Sequence, residues 1–352
     1  MLIRFSNPGT GLAICIVLMI ACKGNPKVIK DDIFSENKAA KWIQDGRALP
    51  LADSLFYLDH PAPLFRRQFK LQDELAGAKL FITAAGYYHV MINGVPTGEQ
   101  SLDPAWTDYS KRIYYADYDV TSLLSAGDNC LGVTLGNGFY NPLPMRKWGR
   151  RNPRKDLKVG KPTFIAKLQL TYKNGIVEEI VSDTTWKYTL GPLTRNSVYL
   201  GVTYDARNEI DGWELPQFDD KQWPHVKSGI DPGGKLQEAF FPPTQITREI
   251  TPVKISAFNS DTWMVDMGEN FTGTYRIKLV GNASDTISFR FGERIFEDGS
   301  LNPMTTVIGQ IKKKGIGGPG SPDTAWQADT YIMKDNQPSW FSPDFTYHTY
   351  RY

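Results

Sequence analysis

The chain of 352 residues carries 40 Lys plus Arg against 38 Asp plus Glu, a formal net charge of +2 that argues against a nucleic-acid polyanion as principal partner. This length suits two or three domains, each burying its own core, and excludes a disulfide-stapled miniprotein. Hydrophobic residues at 41% and charged residues at 22% mark an ordered globular protein, while 31 Gly, 23 Pro, 17 Tyr and 18 Phe favour strands joined by tight turns. Histidines occur only at positions 60, 89, 225 and 348, too few for a histidine-rich metal site.

In chain order, Arg4 precedes an apolar run from Leu12 to Ala21, shorter than the roughly 20 residues that span a bilayer. It reads as the core of an export signal, residues 1–21. Its end, Leu18-Met19-Ile20-Ala21-Cys22, resembles a bacterial lipobox, so Cys22 is the expected lipidation site and the expected partner is a membrane, reached through an N-terminal lipid. The mature protein is then expected as an exported envelope lipoprotein, with residues 22–37 a flexible tether. Cys15 would leave with the signal and Cys22 would carry lipid, leaving Cys130 without an intrachain disulfide partner.

Beyond the tether the pattern is strand after strand. Lys38 to Gln44 and Val120 to Leu124 read as single helical turns, the second with Thr121 or Ser122 near a cap. Tyr88, Val90 and Ile92 alternate before Asn93-Gly94. Thr163 to Tyr172 places Phe164, Ala166, Leu168 and Leu170 on one face and Ile165, Lys167, Gln169 and Thr171 on the other, the period of a half-buried strand. Lys173-Asn174-Gly175 turns it back into Ile176 to Val181. The same alternation recurs in Tyr275, Ile277 and Leu279 and in Ile287, Phe289 and Phe291. Phe241-Pro242-Pro243 interrupts pairing, which predicts one antiparallel β-sandwich over residues 38–243 and a second over 244–352.

Several motifs invite chemistry. Gly315-x-Gly317-x-x-Gly320 matches a dinucleotide fingerprint in letters, but no strand precedes it and Pro319 and Pro322 would block the required helix, so Gly315 to Pro322 reads as a loop. The run Arg146 to Lys161 holds eight Lys or Arg and reads as a solvated loop face, with anion binding as the sharper alternative. Glycoside hydrolysis needs two carboxylates facing one bond, and Glu178-Glu179, Asp205 with Glu209 and Asp219-Asp220 are the visible pairs. Adjacent strand carboxylates point to opposite faces, and Asp219-Asp220 reads as a turn between Phe218 and Trp223. Sugar binding without chemistry asks instead for aromatic rings beside amides and carboxylates. Leu102 to Tyr109 and Leu135 to Pro142 supply both, making Asp103, Trp106, Asn137, Tyr140 and Asn141 candidate carbohydrate-binding residues, each aromatic having core packing as its alternative.

These segments carry a family resemblance. Pro63-Leu64-Phe65-Arg66-Arg67, Ala85-Gly86-Tyr87-Tyr88 through Ile92-Asn93-Gly94, Leu102 to Tyr109, Tyr118-Asp119-Val120-Thr121 and Leu135 to Tyr140 resemble the N-terminal modules of bacterial α-L-rhamnosidases, glycoside hydrolase family 78. Tyr204-Asp205-Ala206-Arg207, Asp266 to Gly273 and the closing Phe345-x-Tyr347-His348-x-x-Arg351-Tyr352 extend the likeness into the next module. The resemblance covers about residues 40 to 352 and implies an all-β pair of jelly-roll sandwiches, galactose-binding-like then concanavalin-like, the second either complete or cut short at its C-terminus.

In that family the acid and base sit on an (α/α)6 barrel that follows these sandwiches, and no stretch here offers its helices, so no catalytic residue is carried over. The resemblance also implies a calcium-dependent rhamnose-binding module, whose metal ligands would correspond to Glu99, Gln100, Asn137 and the carbonyl of Pro142, with Glu99 and Gln100 also facing the sugar. Glu and Gln in place of Asp and Asn would displace the ligand oxygens by a methylene, against a metal that needs them at about 2.3–2.6 Å. The expected partner is therefore a rhamnose-containing glycan, bound by a chain that does not itself cleave it. The alternatives are a truncated but active α-L-rhamnosidase and a structural sandwich with no sugar site.

Overall fold

The computed structural model describes residues 33–36, 39–98, 101–145, 151–307, 322 and 324–352. Cys22, Glu99, Gln100 and the 315–320 glycines lie outside them. No helix among the described residues is long and apolar enough to cross a membrane, and no helical barrel occurs among them.

The first sandwich sets a seven-stranded sheet against a five-stranded one. The larger sheet runs Lys227–Ser228, Ile43–Gln44, Thr163–Tyr172, Leu75–Ala85, Arg112–Asp119 and Lys235–Glu238, with Val177–Val181 also pairing Thr163–Tyr172. The smaller runs Lys187–Leu190, Pro63–Lys70, Asp128–Gly136, Tyr87–Ile92 and Val95–Pro96. Pairing is antiparallel except where Lys235–Glu238 lies parallel to Arg112–Asp119. The alternating residues meet between the sheets: Phe164, Ala166, Leu168 and Leu170 join Tyr88, Val90, Ile92, Leu131 and Val133 in one core. Asn93 and Gly94 both take positive φ, as a two-residue hairpin turn requires.

The opposite face of Thr163–Tyr172 departs from a half-buried strand. Ile165 enters a second cluster with Phe34, Trp42 and Tyr115, and Lys167 is fully buried with Glu179 at 3.3 Å. The cause is the segment before the sandwich. Residues 33–36 form a turn whose Phe34 packs edge-on against Tyr115, so the expected tether over 22–37 already docks by residue 33. Ile43 is a buried strand residue paired to Phe164 and Ser228, and no helical turn forms over the described part of 38–44. The turn at Thr121–Leu123 does form; the Asp119 carboxylate accepts from the Thr121 backbone N–H and hydroxyl.

The sheet of the second module also takes in strands from before residue 244. Leu193–Ser197 and Gly201–Asp205, expected in the first sandwich, form a sheet with Ala328–Ile332 and Thr286–Arg290, and Gly201–Asp205 runs parallel to Ala328–Ile332. Their apolar residues Leu193, Val198 and Val202 pack with Leu279, Tyr331, Met333 and Phe341. The physical reason is that alternation specifies which face of a strand is buried, but not against which partner. Two-stranded ribbons, among them Phe271–Gly273 with His348–Tyr350 and Ile277–Leu279 with Ser339–Phe341, complete the described part.

One buried carboxylate ties these pieces together. Asp329 accepts from the Val202 backbone N–H at 2.9 Å and the Tyr275 hydroxyl at 3.0 Å, and its Oδ2 lies 2.8 Å from His348 Nε2. The His348 ring stacks on Phe291, and its Nδ1 lies 3.1 Å from Gln327 Oε1. Elsewhere the Arg66 guanidinium is buried beneath residues 213–220, donating to the Trp213 and Leu215 carbonyls and pairing with Asp220. Cys130 is buried beside it, and burial pushes its thiol up to about 11. Replacing Asp329 with Ala strands donors from three separate segments and is expected to cost about 3 kcal/mol or more. Urea unfolding that shifts by less than about 1 kcal/mol would show that the network does not hold the second module.

Candidate functional site

The two aromatic loops singled out in the sequence meet at one place. Strands Tyr87–Ile92 and Asp128–Gly136 pair with Tyr87 opposite Gly136, and Asp103 bridges Tyr88, so residues 137–142 leave the smaller sheet at the end where residues 102–109 lie. Gly138 at φ +48° lies so close to the Gly86 backbone that a β-carbon would approach it to 3.1 Å, which lets the second loop settle on the strand end. Trp106 and Phe139 then pack at 5.0 Å between ring centroids, with Tyr199 5.8 Å beyond Phe139. Trp106 stays 47% exposed although it is a large aromatic, and so presents a ring face at the surface.

The other predicted residues divide. Tyr140 is 2% exposed, packs edge-on against Tyr109 at 5.0 Å and lies in the cluster with Phe34 and Trp42; it is a core residue and not a sugar platform. Asp103 is half-buried and accepts from the Tyr118 hydroxyl at 2.9 Å, which in turn lies 3.0 Å from the Tyr88 hydroxyl. Burial pushes the Asp103 carboxyl up, against the lowering effect of the Tyr118 hydrogen bond.

Asn137 and Asn141 form one amide chain. The Asn137 backbone and side-chain N–H groups donate to the side-chain and main-chain oxygens of Asn196, at 2.7 and 3.0 Å, so the strand Leu193–Ser197 of the second module holds this loop of the first sandwich. Asn141 Nδ2 donates to Asn137 Oδ1 at 2.8 Å. Arg154 Nη1 donates to both Asn141 Oδ1 and the Pro142 carbonyl at 2.8 Å, while its guanidinium lies 4.0 Å over the Phe56 ring. Burial pulls the Arg154 pKa down and the Asp53 charge opposes it. Neither Arg154 nor Asn196 was singled out from sequence. Asn152-Pro153 is a helix-start signal that marks the Pro153–Asp156 turn carrying Arg154, whereas nothing local marks Asn196.

Calcium can be tested on this donor set. Asn137 Oδ1 is taken by an amide, and the Pro142 oxygen by a guanidinium. A divalent ion about 4 Å from that guanidinium would meet a repulsion of roughly 8 kcal/mol at an effective dielectric constant of about 20. Among the described residues no group of three or more His, Cys, Asp or Glu is placed to hold a metal ion. The described ligands do not fit calcium.

The candidate acids are engaged elsewhere. Asp205 accepts from Arg207 at 2.7 and 2.8 Å, and this hydrogen bonding holds its carboxyl below the usual range. Glu209 takes the Tyr204 hydroxyl at 3.0 Å. Asp219 is held low by the Lys221 backbone N–H, and Asp220 pairs with Arg66 and Lys187. Glu178 accepts from Tyr172, and Glu179 pairs with Lys167. A glycosidase acid needs a raised pKa, and the lowered carboxyls of Asp205 and Asp219 run the opposite way. The basic run is likewise divided: Lys161 turns inward onto Asp45 and Arg154 onto Asn141, while residues 146–150 lie outside the described residues.

Comparison with known proteins agrees with both modules. Residues 73–248 match the family described as "Alpha-L-rhamnosidase N-terminal domain", and residues 256–352 match "Bacterial alpha-L-rhamnosidase concanavalin-like domain". An α-L-rhamnosidase of Formosa agariphila is 34% identical over 293 residues, 83% of this chain and 29% of that protein. The α-L-rhamnosidase structure from Dictyoglumus thermophilum superposes with a TM-score of 0.74 at 35% identity, covering 89% of this chain and 33% of that one. That of Streptomyces avermitilis, complexed with L-rhamnose, gives 0.73 at 29% identity over 83% and 26%. The chain thus spans about a third of the length of the curated relatives it matches.

The burial contrast between the two aromatics predicts a contrast in stability. Tyr140→Ala is expected to cost about 3 kcal/mol as a core truncation, and Trp106→Ala less than about 1 kcal/mol. Thermal unfolding of both variants beside wild type checks this, and equal losses would contradict the assignment.

Proposed function

The chain belongs to the bacterial α-L-rhamnosidase family, and from that premise we propose that residues 38–352 form a carbohydrate-associated part of an α-L-rhamnosidase-type protein that binds a rhamnose-containing glycan without cleaving it. The observation that carries this reading is the half-exposed Trp106 ring, set by Phe139 beside the Asn137–Asn141 amide chain. An exposed indole offers a flat apolar face to the 6-deoxy edge of rhamnose. The engaged state of the candidate carboxylates supports the absence of hydrolysis by these residues. Where a longer polypeptide hydrolyses α-L-rhamnosides, that chemistry belongs to residues outside this stretch. Export and lipidation at Cys22 rest on the apolar run and Ala21-Cys22.

Calorimetric titration of residues 25–352 with L-rhamnose and a rhamnose-containing oligosaccharide is expected to show binding that Trp106→Ala weakens at least tenfold. Unchanged affinity would move the site elsewhere, and no binding by wild type would favour a structural sandwich. The same protein is expected to leave an aryl α-L-rhamnoside intact; turnover abolished by amide replacement of Asp205, Glu209, Asp219 and Asp220 would overturn the non-catalytic reading. For the anchor, Cys22→Ser is expected to release the full chain from the membrane fraction, and undiminished membrane association would refute lipidation there.

A further inference from the structure

We propose that Arg154 is the resident cation of the 137–142 loop, its guanidinium taking the Pro142 carbonyl that the family resemblance assigns to calcium together with the neighbouring Asn141 Oδ1, so that this loop holds its shape without a metal. The donor arrangement carries the inference. One nitrogen, Nη1, reaches oxygens on two consecutive residues, Asn141 Oδ1 and the Pro142 carbonyl, at 2.8 Å each. A hydrated ammonium would serve them as a point charge, whereas the guanidinium also lies 4.0 Å over the Phe56 ring, which helps to fix its direction. The Arg154 backbone N–H is held at 3.0 Å by the Asn152 side chain, so the cation is positioned from its main chain outward. Another of the assigned oxygens, Asn137 Oδ1, is satisfied by Asn141 Nδ2, closing the chain from Asn196 through Asn137 and Asn141 to Arg154. An arginine stays charged at any pH the fold survives, so the substitution removes the acid and chelator sensitivity that metal ligation brings. A second consequence rests on the proposed glycan-facing role: sugar capture at this loop is also independent of calcium.

The test uses the full chain in detergent micelles. Equilibrium dialysis against radioactive calcium at about 1 mM is expected to show no stoichiometric binding, and melting temperatures in EDTA and in millimolar calcium are expected to agree within about 1 °C. Stoichiometric calcium binding that is lost in Asn137→Ala would overturn the proposal. Arg154→Ala is expected to melt several degrees lower in EDTA and calcium alike, with Arg154→Lys between it and wild type; an Arg154→Ala protein as stable as wild type would also overturn it. If L-rhamnose binds wild type, its affinity is expected to be the same in EDTA, and a tenfold loss there would count against metal independence. Absence of rhamnose binding in every buffer would sink the glycan-binding role while the calcium and melting measurements still decide this one.

Discussion

A hairpin that leaves one sandwich for the other is the constraint on which the candidate surface depends. Leu193–Ser197 and Gly201–Asp205 are flanked in sequence by strands of the first sandwich, yet Gly201–Asp205 pairs with Ala328–Ile332. Asn196 on that hairpin reaches back to the Asn137 loop, and the hairpin is itself fixed where Asp329 accepts the Val202 N–H. The position of a surface loop on the first module is thereby set by a buried carboxylate in the second. Such a chain of satisfied buried polar groups specifies one arrangement, because any shift leaves a donor without an acceptor.

Much of the fold was legible because it follows from period two. Thr163–Tyr172 forms with the expected bounds, its Phe164 face is the core, and Asn93-Gly94 turns the chain as that pair usually does. What was not legible depends on contacts distant in sequence. Lys167 looks like a solvent-face residue until Glu179 and the docked residues 33–36 and 39–45 cover it. The hairpin at 193–205 carries the same apolar pattern as its neighbours, and local alternation holds no information on which sheet will accept it. The helical reading of 38–44 failed for a related reason, since pairing to Phe164 and Ser228 outweighed a weak local preference.

The site was legible in composition and less so in geometry. Trp106 of the first aromatic segment does meet Phe139 of the second, yet the aromatic content alone did not separate the exposed Trp106 from the buried Tyr140. Charge was the less reliable guide. A run read as a solvated basic face contains Arg154 and Lys161, both turned inward, and each suspected carboxylate has a polar or ionic partner. In both cases the sequence displays charged side chains while their roles are decided by what they neutralise.

The crossing hairpin also bears on how the protein is made. Its strand Gly201–Asp205 is synthesised well before Thr286–Arg290 and Ala328–Ile332, the strands that complete its sheet. At a ribosomal pace of about 5–20 residues per second, residue 203 waits several seconds for its partner at residue 330. During that interval a ribbon bearing Leu193, Val198 and Val202 offers an open β-edge to any neighbouring nascent chain. Holdase binding would have its greatest value for this one ribbon. For the same reason the two modules cannot be shuffled as independent cassettes: a cut in the proline-rich link at 241–243 separates the ribbon from its sheet.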